Sequence, residues 1–238
     1  MQTKIISIHH PKSPEAEAYR TLRTNLQFSS VDEDLQVVLV TSPNVSEGKT
    51  TTICNLAVSF AQIGKRVLLI EGDLRRPRLH QYLQLSNAKG MTNILTQREA
   101  IEEVIQTTAY DVHVLTSGPI PPNPAELLNS NRLKELIQQL RNQYDIILID
   151  TPPVGVVTDA AILSTLVDGV IMVIASHQTD SDLALRSMKL LETVDAKVLG
   201  TVLTKVPADR KGYYGYQYYE YNGEESQKRH KKRNCRLR

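Results

Sequence analysis

The stretch VVLVTSPNVSEGKTTT, residues 37–52, decides the fold. It opens with an apolar, β-branched run typical of a buried strand, passes through a loop of small residues, and enters a helical stretch at Gly48-Lys49-Thr50. This is the order of a phosphate-binding P-loop, in which backbone N–H groups of the loop and of the helix N-terminus point at phosphate oxygens. The residues that we predict to contact a nucleotide here are Ser46, Glu47, Gly48, Lys49, Thr50 and Thr51.

The P-loop pattern is incomplete at one position. Five residues before Gly48, where the full pattern has a glycine, the chain has Pro43. The prediction therefore depends on the placement of this loop between an apolar strand and a predicted helix, Ile53–Ile63, and on two carboxylate motifs downstream. We expect Lys49 to reach the β- and γ-phosphates and the Thr50 hydroxyl to ligate Mg²⁺.

Apolar strands alternate with helical stretches along the rest of the chain. After a helix stop at Gly64, strands are predicted at Val67–Ile70, Val112–Leu115, the run ending at Asp150, Gly169–Ala175 and Val198–Leu203. Helices are predicted at Pro124–Leu128, Asn131–Asn142, Asp159–Leu166 and Ser181–Val194, whereas residues 79–110 give only weak helical signals. The alternation predicts an α/β fold, a mostly parallel sheet with helices on both faces and its ligand beyond the carboxyl ends of the strands.

Two groups of carboxylates follow predicted strands. Asp150, after four apolar residues and before Thr151-Pro152-Pro153, matches a carboxylate that holds Mg²⁺ directly or through water. Glu71 and Asp73 follow another strand, and either could orient an attacking group and accept its proton. The neighbouring Arg75, Arg76 and Arg78 would offset their charge, although a charged turn with surface ion pairs is the alternative. We expect Lys49, Glu71, Asp73 and Asp150 to converge, because all four come just after strand ends.

An amphipathic helix is predicted near the N-terminus. Residues 1–14 are expected to be a loosely held arm, and Ser13 then serves as N-cap with Pro14 in the first turn. Glu17, Arg20 and Arg23 recur at three-residue steps and share one side of this helix. That side is either a solvated, internally paired face or a docking face for another subunit.

The C-terminal segment concentrates tyrosine and positive charge. Six of the ten tyrosines lie within nine residues, namely Tyr213, Tyr214, Tyr216, Tyr218, Tyr219 and Tyr221. We favour the hypothesis that these hydroxyls are phosphorylated, which would make the segment strongly anionic. A structural hairpin and a stacking surface for single-stranded nucleic acid are the alternatives. Residues 228–238 hold seven Lys/Arg and no acid, which fits a solvated end or attraction to anionic lipid or nucleic acid.

Composition is that of an ordinary globular protein in a reducing compartment. The two cysteines, Cys54 and Cys235, lie in a predicted core helix and a charged tail, so we expect no disulfide. No run approaches the ~18 apolar residues of a membrane-spanning helix. We expect a soluble, cytoplasmic chain with an N-terminal arm and docking helix (1–30), a P-loop domain (31–207) and a flexible tyrosine-rich, basic tail (208–238).

Together these motifs resemble the bacterial protein-tyrosine kinases of the CpsD/CapB type, which control capsule and exopolysaccharide synthesis. The resemblance implies a P-loop NTPase fold and Mg²⁺-dependent transfer of the γ-phosphoryl group of ATP to protein tyrosines, including the chain's own tail. It implies that Glu17, Arg20 and Arg23 dock on a neighbouring subunit to form a ring. Thr204 and Lys205 are similar to the family's base-contacting segment. The chain has Ser46 where the family usually has glycine, and Glu71 where it usually has aspartate.

The resemblance also implies a partner. A transmembrane adaptor, expected here as a separate polypeptide, would recruit the chain to the inner face of the membrane and switch it on; no nucleic-acid partner is expected. One alternative is a positioning ATPase of the MinD/ParA kind, although those proteins have an early P-loop lysine where this chain has Asn44. The other alternative is a non-catalytic, nucleotide-dependent switch whose tail recruits partners.

Overall fold

The sheet at the centre of the molecule is almost entirely parallel. The computed structural model describes residues 5–29, 35–97 and 99–207. Its seven-stranded sheet has the order β3-β4-β2-β5-β1-β6-β7, and only the pair β3–β4 is antiparallel. The strands are β1 (Val37–Thr41), β2 (Val67–Glu71), β3 (Gln106–Thr107), β4 (Val112–Leu115), β5 (Ile146–Asp150), β6 (Gly169–Ala175) and β7 (Val198–Thr204).

Helices cover both faces of the sheet, which confirms the predicted α/β class. They are α1 (Ile6–His9), α2 (Pro14–Phe28), α3 (Lys49–Ala61), α4 (Leu79–Leu83), α5 (Met91–Gln97), α6 (Ile101–Val104), α7 (Pro124–Leu128), α8 (Asn131–Arg141), α9 (Asp159–Ser164) and α10 (Ser181–Thr193). The apolar core is divided by the sheet into two clusters, one with α5, α8 and α9 and the other with α2 and α3.

Strand β1 shows why the central strands are continuous apolar runs. Val37 and Leu39 join one core cluster, whereas Val38 and Val40 join the other. All four are fully buried. Because successive side chains point to opposite faces, a strand covered by helices on both sides needs an apolar residue at every position.

Helix boundaries agree closely with the sequence where capping residues mark them. Ser13 accepts a hydrogen bond from the Ala16 amide (3.2 Å) at the start of α2, and Ser130 accepts one from Leu133 (3.3 Å) at the start of α8. Helix α3 begins at Lys49, four residues before the predicted Ile53, because the P-loop places the first helical turn directly after Gly48. The short elements between residues 79 and 110, including the antiparallel β3, were not resolved by the sequence pattern.

The N-terminal segment is not a loose arm over its described residues, and that prediction was wrong. Ile5 is fully buried, and the Ile6 amide donates to Asn55 Oδ1 of α3 (2.8 Å). The polar side chain that fastens α1 lies about fifty residues away, so local composition could not reveal it. The chain divides into two compact units, Met1–Lys205 and Val206–Arg238. All but two residues of the second lie outside the described residues, so the roles of segments 1–30, 31–207 and 208–238 stay predictions.

Asp168 joins α8 to the start of β1, and we expect its removal to destabilise the fold. Its Oδ2 accepts from the amides of Gln36 (2.9 Å) and Val37 (2.6 Å), while Arg141 donates to both carboxylate oxygens (2.9 and 2.6 Å). Asp168→Ala should lower the free energy of unfolding by about 2–3 kcal/mol, since it leaves Arg141 and two amides without their acceptor. Urea unfolding measures the change, with the exposed Glu192→Ala as a control.

The same substitution has a predictable pH dependence. Burial acts to raise the pKa of Asp168, but the hydrogen bonds from Arg141, Val37 and Gln36 outweigh it and leave the pKa below its usual value. A carboxyl whose pKa falls on folding contributes stability above its unfolded pKa of about 4, and that stability is lost as the pH falls through the folded pKa. The stability difference between wild type and Asp168→Ala should therefore shrink on acidification below about pH 4. A constant difference would contradict the assignment.

Candidate active site

The loop between β1 and α3 has the backbone of a P-loop. Gly48, the residue before the helix, has φ +99°, which an L-residue rarely adopts. Ser46 has φ +60° although it is not glycine. The position where the resemblance leads one to expect glycine thus does need a left-handed conformation, and Ser46 adopts it at a cost of about 1–3 kcal/mol that its surroundings must offset.

Lys49 lies at the base of this loop among acids. Its Nζ donates to Ser42 Oγ (3.0 Å), and the side chain is half-buried. Burial lowers the pKa of Lys49, and the charges of Asp150 and Asp73 oppose that effect. The predicted convergence of Lys49 with carboxylates from two other strand ends is therefore present in the structure.

Asp150 is placed to hold a cation with Thr50. The carboxyl is 3% exposed, and the Thr50 hydroxyl donates to its Oδ2 (2.6 Å). The other oxygen, Oδ1, is buried without a hydrogen-bond partner among the described residues. Burial raises the pKa of Asp150 to about 6, although the Thr50 hydrogen bond and the Lys49 charge act against it.

These features fit a magnesium ion bound with a nucleotide. Mg²⁺ usually takes one or two protein oxygens and completes its shell with phosphates and waters. Asp150 Oδ1, which is buried and has no donor among the described residues, and the neighbouring Thr50 hydroxyl would supply two such protein oxygens beside the P-loop. The described part of the chain contains no cluster of three or more His, Cys, Asp or Glu side chains suited to a metal, so no all-protein cage is formed there.

Glu71 is buried and shapes the loop after β2. It is 1% exposed; its Oε2 accepts from the amides of Arg78 (2.7 Å) and Leu79 (2.8 Å), and its Oε1 accepts from the amide of Asp73 (3.3 Å). Burial, followed by the charge of Asp150, raises the pKa of Glu71 to about 8. Both carboxyl oxygens of Glu71 therefore accept hydrogen bonds from backbone amides of its own loop.

Gly72 allows the two acid-bearing strand ends to approach each other. Its amide donates to the Asp150 carbonyl oxygen at 2.7 Å. A Cβ atom at this position would lie 2.8 Å from that same backbone oxygen, closer than real contacts allow. Only glycine fits between Glu71 and Asp73 without moving one strand end.

Asp73 is the more accessible of the two acids in this motif. The side chain is partly exposed, and its Oδ1 accepts from the amides of Arg75 (3.1 Å) and Arg76 (2.9 Å). Its charge acts on Lys49 and on Asp150, which places it beside the predicted phosphate and metal sites.

Arg75 forms its direct ion pair with a third acid and not with Glu71 or Asp73, although the charge of Asp73 still acts on it. Its guanidinium forms a bidentate ion pair with Asp159, the first residue of α9, at 2.8 and 3.0 Å. Asp159 is fully buried. The sequence indicated only that Asp159 begins a helix; its pairing with a residue 84 positions away could not be read from local pattern. This ion pair ties the loop after β2 to α9 and so fixes the backbone that carries Asp73.

Thr204 and Lys205 contact the P-loop backbone. The Thr204 hydroxyl donates to the Glu47 carbonyl (2.6 Å), and Lys205 Nζ donates to the Ser46 carbonyl (2.7 Å). Their contact with a nucleotide base stays a prediction. The side chain of Glu47, predicted only as part of the loop, is buried and bonded to Thr179, a residue that the sequence analysis did not single out.

The three α2 residues that we predict to dock on a neighbouring subunit have different surroundings. Glu17 and Arg20 form a partly exposed ion pair (2.6 Å). Arg23 instead reaches α3, where its Nη1 donates to the Ser59 carbonyl (2.7 Å). The tyrosines of the predicted cluster lie outside the described residues, as does the basic tail. Within the described ranges, no helix is both long and apolar enough to span a bilayer.

We expect Asp150→Asn to abolish the effect of Mg²⁺ on nucleotide affinity. The amide keeps the size of the side chain but removes the charge that a divalent cation requires. Isothermal titration with ATP, in excess Mg²⁺ and in EDTA, should show a Mg²⁺-dependent gain for wild type and none for the variant. Asp182→Asn, an exposed aspartate of α10, is the control. An undiminished gain in Asp150→Asn would contradict the assignment.

Comparison with known proteins places the chain in one family. A family model described as an AAA domain matches residues 36–198. The chain is 44% identical to the tyrosine-protein kinase YwqD of Bacillus subtilis (strain 168), over 91% of this chain and 92% of that protein. It is 35% identical to the tyrosine-protein kinase wzc of Salmonella typhi, over 92% of this chain but 31% of that longer protein. The crystal structure of the chimerical protein CapA2B2 superposes with a TM-score of 0.82 at 38% identity, covering 85% of this chain and 90% of that one. With the P-loop, the Glu71–Arg75 motif and Asp150 assembled at one sheet edge, the chain belongs to the family of bacterial tyrosine-protein kinases.

Proposed function

We propose that this chain binds ATP with Mg²⁺ and transfers the γ-phosphoryl group to protein tyrosines. The observation that carries the proposal is Oδ1 of Asp150, which is buried, has no hydrogen-bond partner in the part of the chain that the structure describes, and lies beside Thr50, Lys49 and Asp73. Family membership supports the tyrosine as acceptor.

In this proposal, different residues bind the phosphates and the metal of the Mg²⁺–triphosphate complex. Lys49 and the amides of residues 46–51 hold the phosphate oxygens, while Thr50 and Asp150 hold the metal. When bound, Mg²⁺ neutralises charge that develops on the transferring group. In this arrangement the Thr50–Asp150 hydrogen bond keeps both ligands correctly placed until the metal arrives.

Asp73 is the residue we assign to the incoming tyrosine. A phenol has a pKa of about 10 and is a poor nucleophile while protonated, so a carboxylate that orients it or accepts its proton assists the transfer. Asp73 is partly exposed, whereas Glu71 is almost fully buried and bonded to three backbone amides. We therefore assign Glu71 to holding the loop and Asp73 to the substrate.

The proposed substrates include the chain's own tyrosines between Tyr213 and Tyr221. A subunit that docks through α2 would present its tail to a neighbour's active site in a ring. Glu17 and Arg20 are exposed enough to make the docking contact, and Arg23 positions the helix that presents them. The regulated process is capsule or exopolysaccharide synthesis, as the family implies.

The proposed activator is a transmembrane adaptor carried by a separate polypeptide. Wzc is about three times as long as the segment that matches this chain, so most of it has no counterpart in the match. An adaptor that supplies such a part would recruit the kinase to the inner face of the cell membrane. The name CapA2B2 joins two components in one chimera, which fits a kinase that works with a partner.

The two alternatives have less support. A positioning ATPase would not need the tyrosine cluster, and the similar kinases cover about nine-tenths of the chain. A non-catalytic switch would not need Asp73 beside the P-loop lysine.

We expect phosphotyrosine on residues 212–222 when the chain is incubated with ATP, Mg²⁺ and a purified adaptor segment. Lys49→Met should abolish it, and Asp73→Asn should slow it by about 10²–10⁴-fold because general-base assistance is lost. Asp73→Asn should still bind Mg·ATP within about threefold of wild type, since the hydrogen bonds of the Asp73 carboxylate go to the amides of its own loop and not to the P-loop. Quantitative mass spectrometry and titration calorimetry measure the two effects.

The outcomes separate the three functions. ATP hydrolysis without phosphotyrosine would support the positioning ATPase, and nucleotide binding without either reaction would support the switch. Phosphotyrosine formation by Asp73→Asn at the wild-type rate would contradict the role of Asp73, and loss of activity in Glu71→Gln with unchanged stability would transfer that role to Glu71.

Arg20 and Arg23 should differ in their effects. Arg20→Ala should reduce assembly in sedimentation velocity while changing the free energy of unfolding by less than about 0.5 kcal/mol, because its bonds to Glu17 and to the Pro11 carbonyl are solvent-exposed. Arg23→Ala should lower that free energy by about 1–2 kcal/mol, because the Ser59 carbonyl loses a charged donor. The exposed Arg186→Ala is the control for both. Equal losses of stability in the two variants would contradict the distinction.

A further inference from the structure

Glu47 lies in the middle of the P-loop, yet its carboxylate faces the protein. The side chain is 4% exposed. Its Oε2 accepts from the Asn44 amide at 3.0 Å, and its Oε1 accepts from the Thr179 hydroxyl at 2.5 Å. A buried carboxylate with both oxygens satisfied is a structural anchor, because leaving either partner unpaired would be costly.

Thr179 connects this anchor to the sheet. It lies in the connection between β6 and α10, and its hydroxyl oxygen accepts from the Ala175 amide at 2.9 Å while its proton goes to Glu47. The hydrogen bonds therefore run from the last residue of β6 through Thr179 to the centre of the P-loop.

The backbone of the same loop segment is fastened from a second strand. The Thr204 hydroxyl at the end of β7 donates to the Glu47 carbonyl (2.6 Å). Lys205 Nζ donates to the Ser46 carbonyl (2.7 Å) and to Gln178 Oε1 (2.6 Å). Residues 46 and 47 are thus held through their carbonyls by Thr204 and Lys205, at and just after the end of β7. The Glu47 side chain is held by Thr179, in the connection after β6.

The loop needs this restraint because its backbone is strained. Ser46 has φ +60° without being glycine, a conformation that persists only when the surroundings over-determine it. An anion-binding nest requires successive amides to point to one side. If the segment were released, Ser46 would relax towards an ordinary conformation and its neighbouring amides would turn away from the phosphates.

We propose that Glu47 and Thr179 are positioning residues that clamp the P-loop in its phosphate-binding conformation and thereby set its affinity for the nucleotide triphosphate. The inference rests on the proposed function in placing a triphosphate at this loop. Glu47 and Thr179 act through the loop amides and do not touch the reacting atoms.

A matched pair at Thr179 tests the clamp. Thr179→Val keeps the shape of the side chain and removes the hydroxyl, whereas Thr179→Ser keeps the hydroxyl. Titration calorimetry with Mg·ATP should show about tenfold weaker binding for Thr179→Val and near-wild-type binding for Thr179→Ser. In the kinase assay the loss should appear in KM for ATP with kcat changed less than about threefold, as for an interaction made equally in ground and transition states. The exposed Thr193→Val is the control.

A double-mutant cycle tests whether the two residues act as one unit. Glu47→Ala should weaken binding by tenfold or more, and adding Thr179→Val should weaken it little further, because the shared hydrogen bond is already gone. Wild-type affinity in Thr179→Val, equal defects in Thr179→Val and Thr179→Ser, or fully additive losses would each overturn the proposal. Calorimetry does not require phosphoryl transfer, so a wild type that binds Mg·ATP but forms no phosphotyrosine contradicts the proposed function and leaves this comparison intact.

Discussion

The parallel pairing of β5 with both β1 and β2 is the constraint on which the site depends. In the first register Asp150 lies beside Val40, one residue from the end of β1, and in the second it lies beside Glu71. The carboxyl ends of three strands therefore meet at one edge of the sheet. The P-loop leaves from the first of them, the Glu71–Arg75 motif from the second, and Asp150 ends the third, so residues about a hundred positions apart become neighbours.

Several acidic side chains are buried at this edge of the sheet, and most of them are stabilised by neighbouring donors. Glu71 accepts hydrogen bonds from three backbone amides, and Asp159 pairs with Arg75. Asp150 accepts one from Thr50 on Oδ2, whereas its Oδ1 has no partner among the described residues. Burial raises the pKa of Glu71 and of Asp150, which means that their charged forms are costly until a cation arrives. The Lys49 charge already offsets part of that cost at Asp150, and a bound Mg²⁺ would offset more of it.

Helix α3 connects the P-loop to the N-terminal segment. It starts at the phosphate site with Lys49 and Thr50, and further along it accepts Ile6 at Asn55 and Arg23 at the Ser59 carbonyl. Helix α2, for which docking is predicted, and the P-loop are therefore both attached to this one helix. The residues predicted to dock on a neighbouring subunit are thereby attached to the helix that begins at the predicted phosphate site.

What the sequence alone determined was the order of elements and the chemistry at their ends. Continuous apolar strands, the caps Ser13 and Ser130, the Gly-Lys-Thr turn and the acids after β2 and β5 are local signals, because they depend on period, backbone conformation and neighbouring residues. They sufficed for the α/β class and for the expectation that Lys49, Asp73 and Asp150 meet at one sheet edge, whereas the roles of these residues stay predictions. Only the tertiary structure decided which partner each polar group takes: Arg75 with Asp159, Glu47 with Thr179, Arg23 with Ser59, and Ile6 with Asn55. Hydrogen bonds and ion pairs form between whichever groups the packing brings within about 3 Å, and that distance is set by the assembled sheet and not by the sequence near either partner.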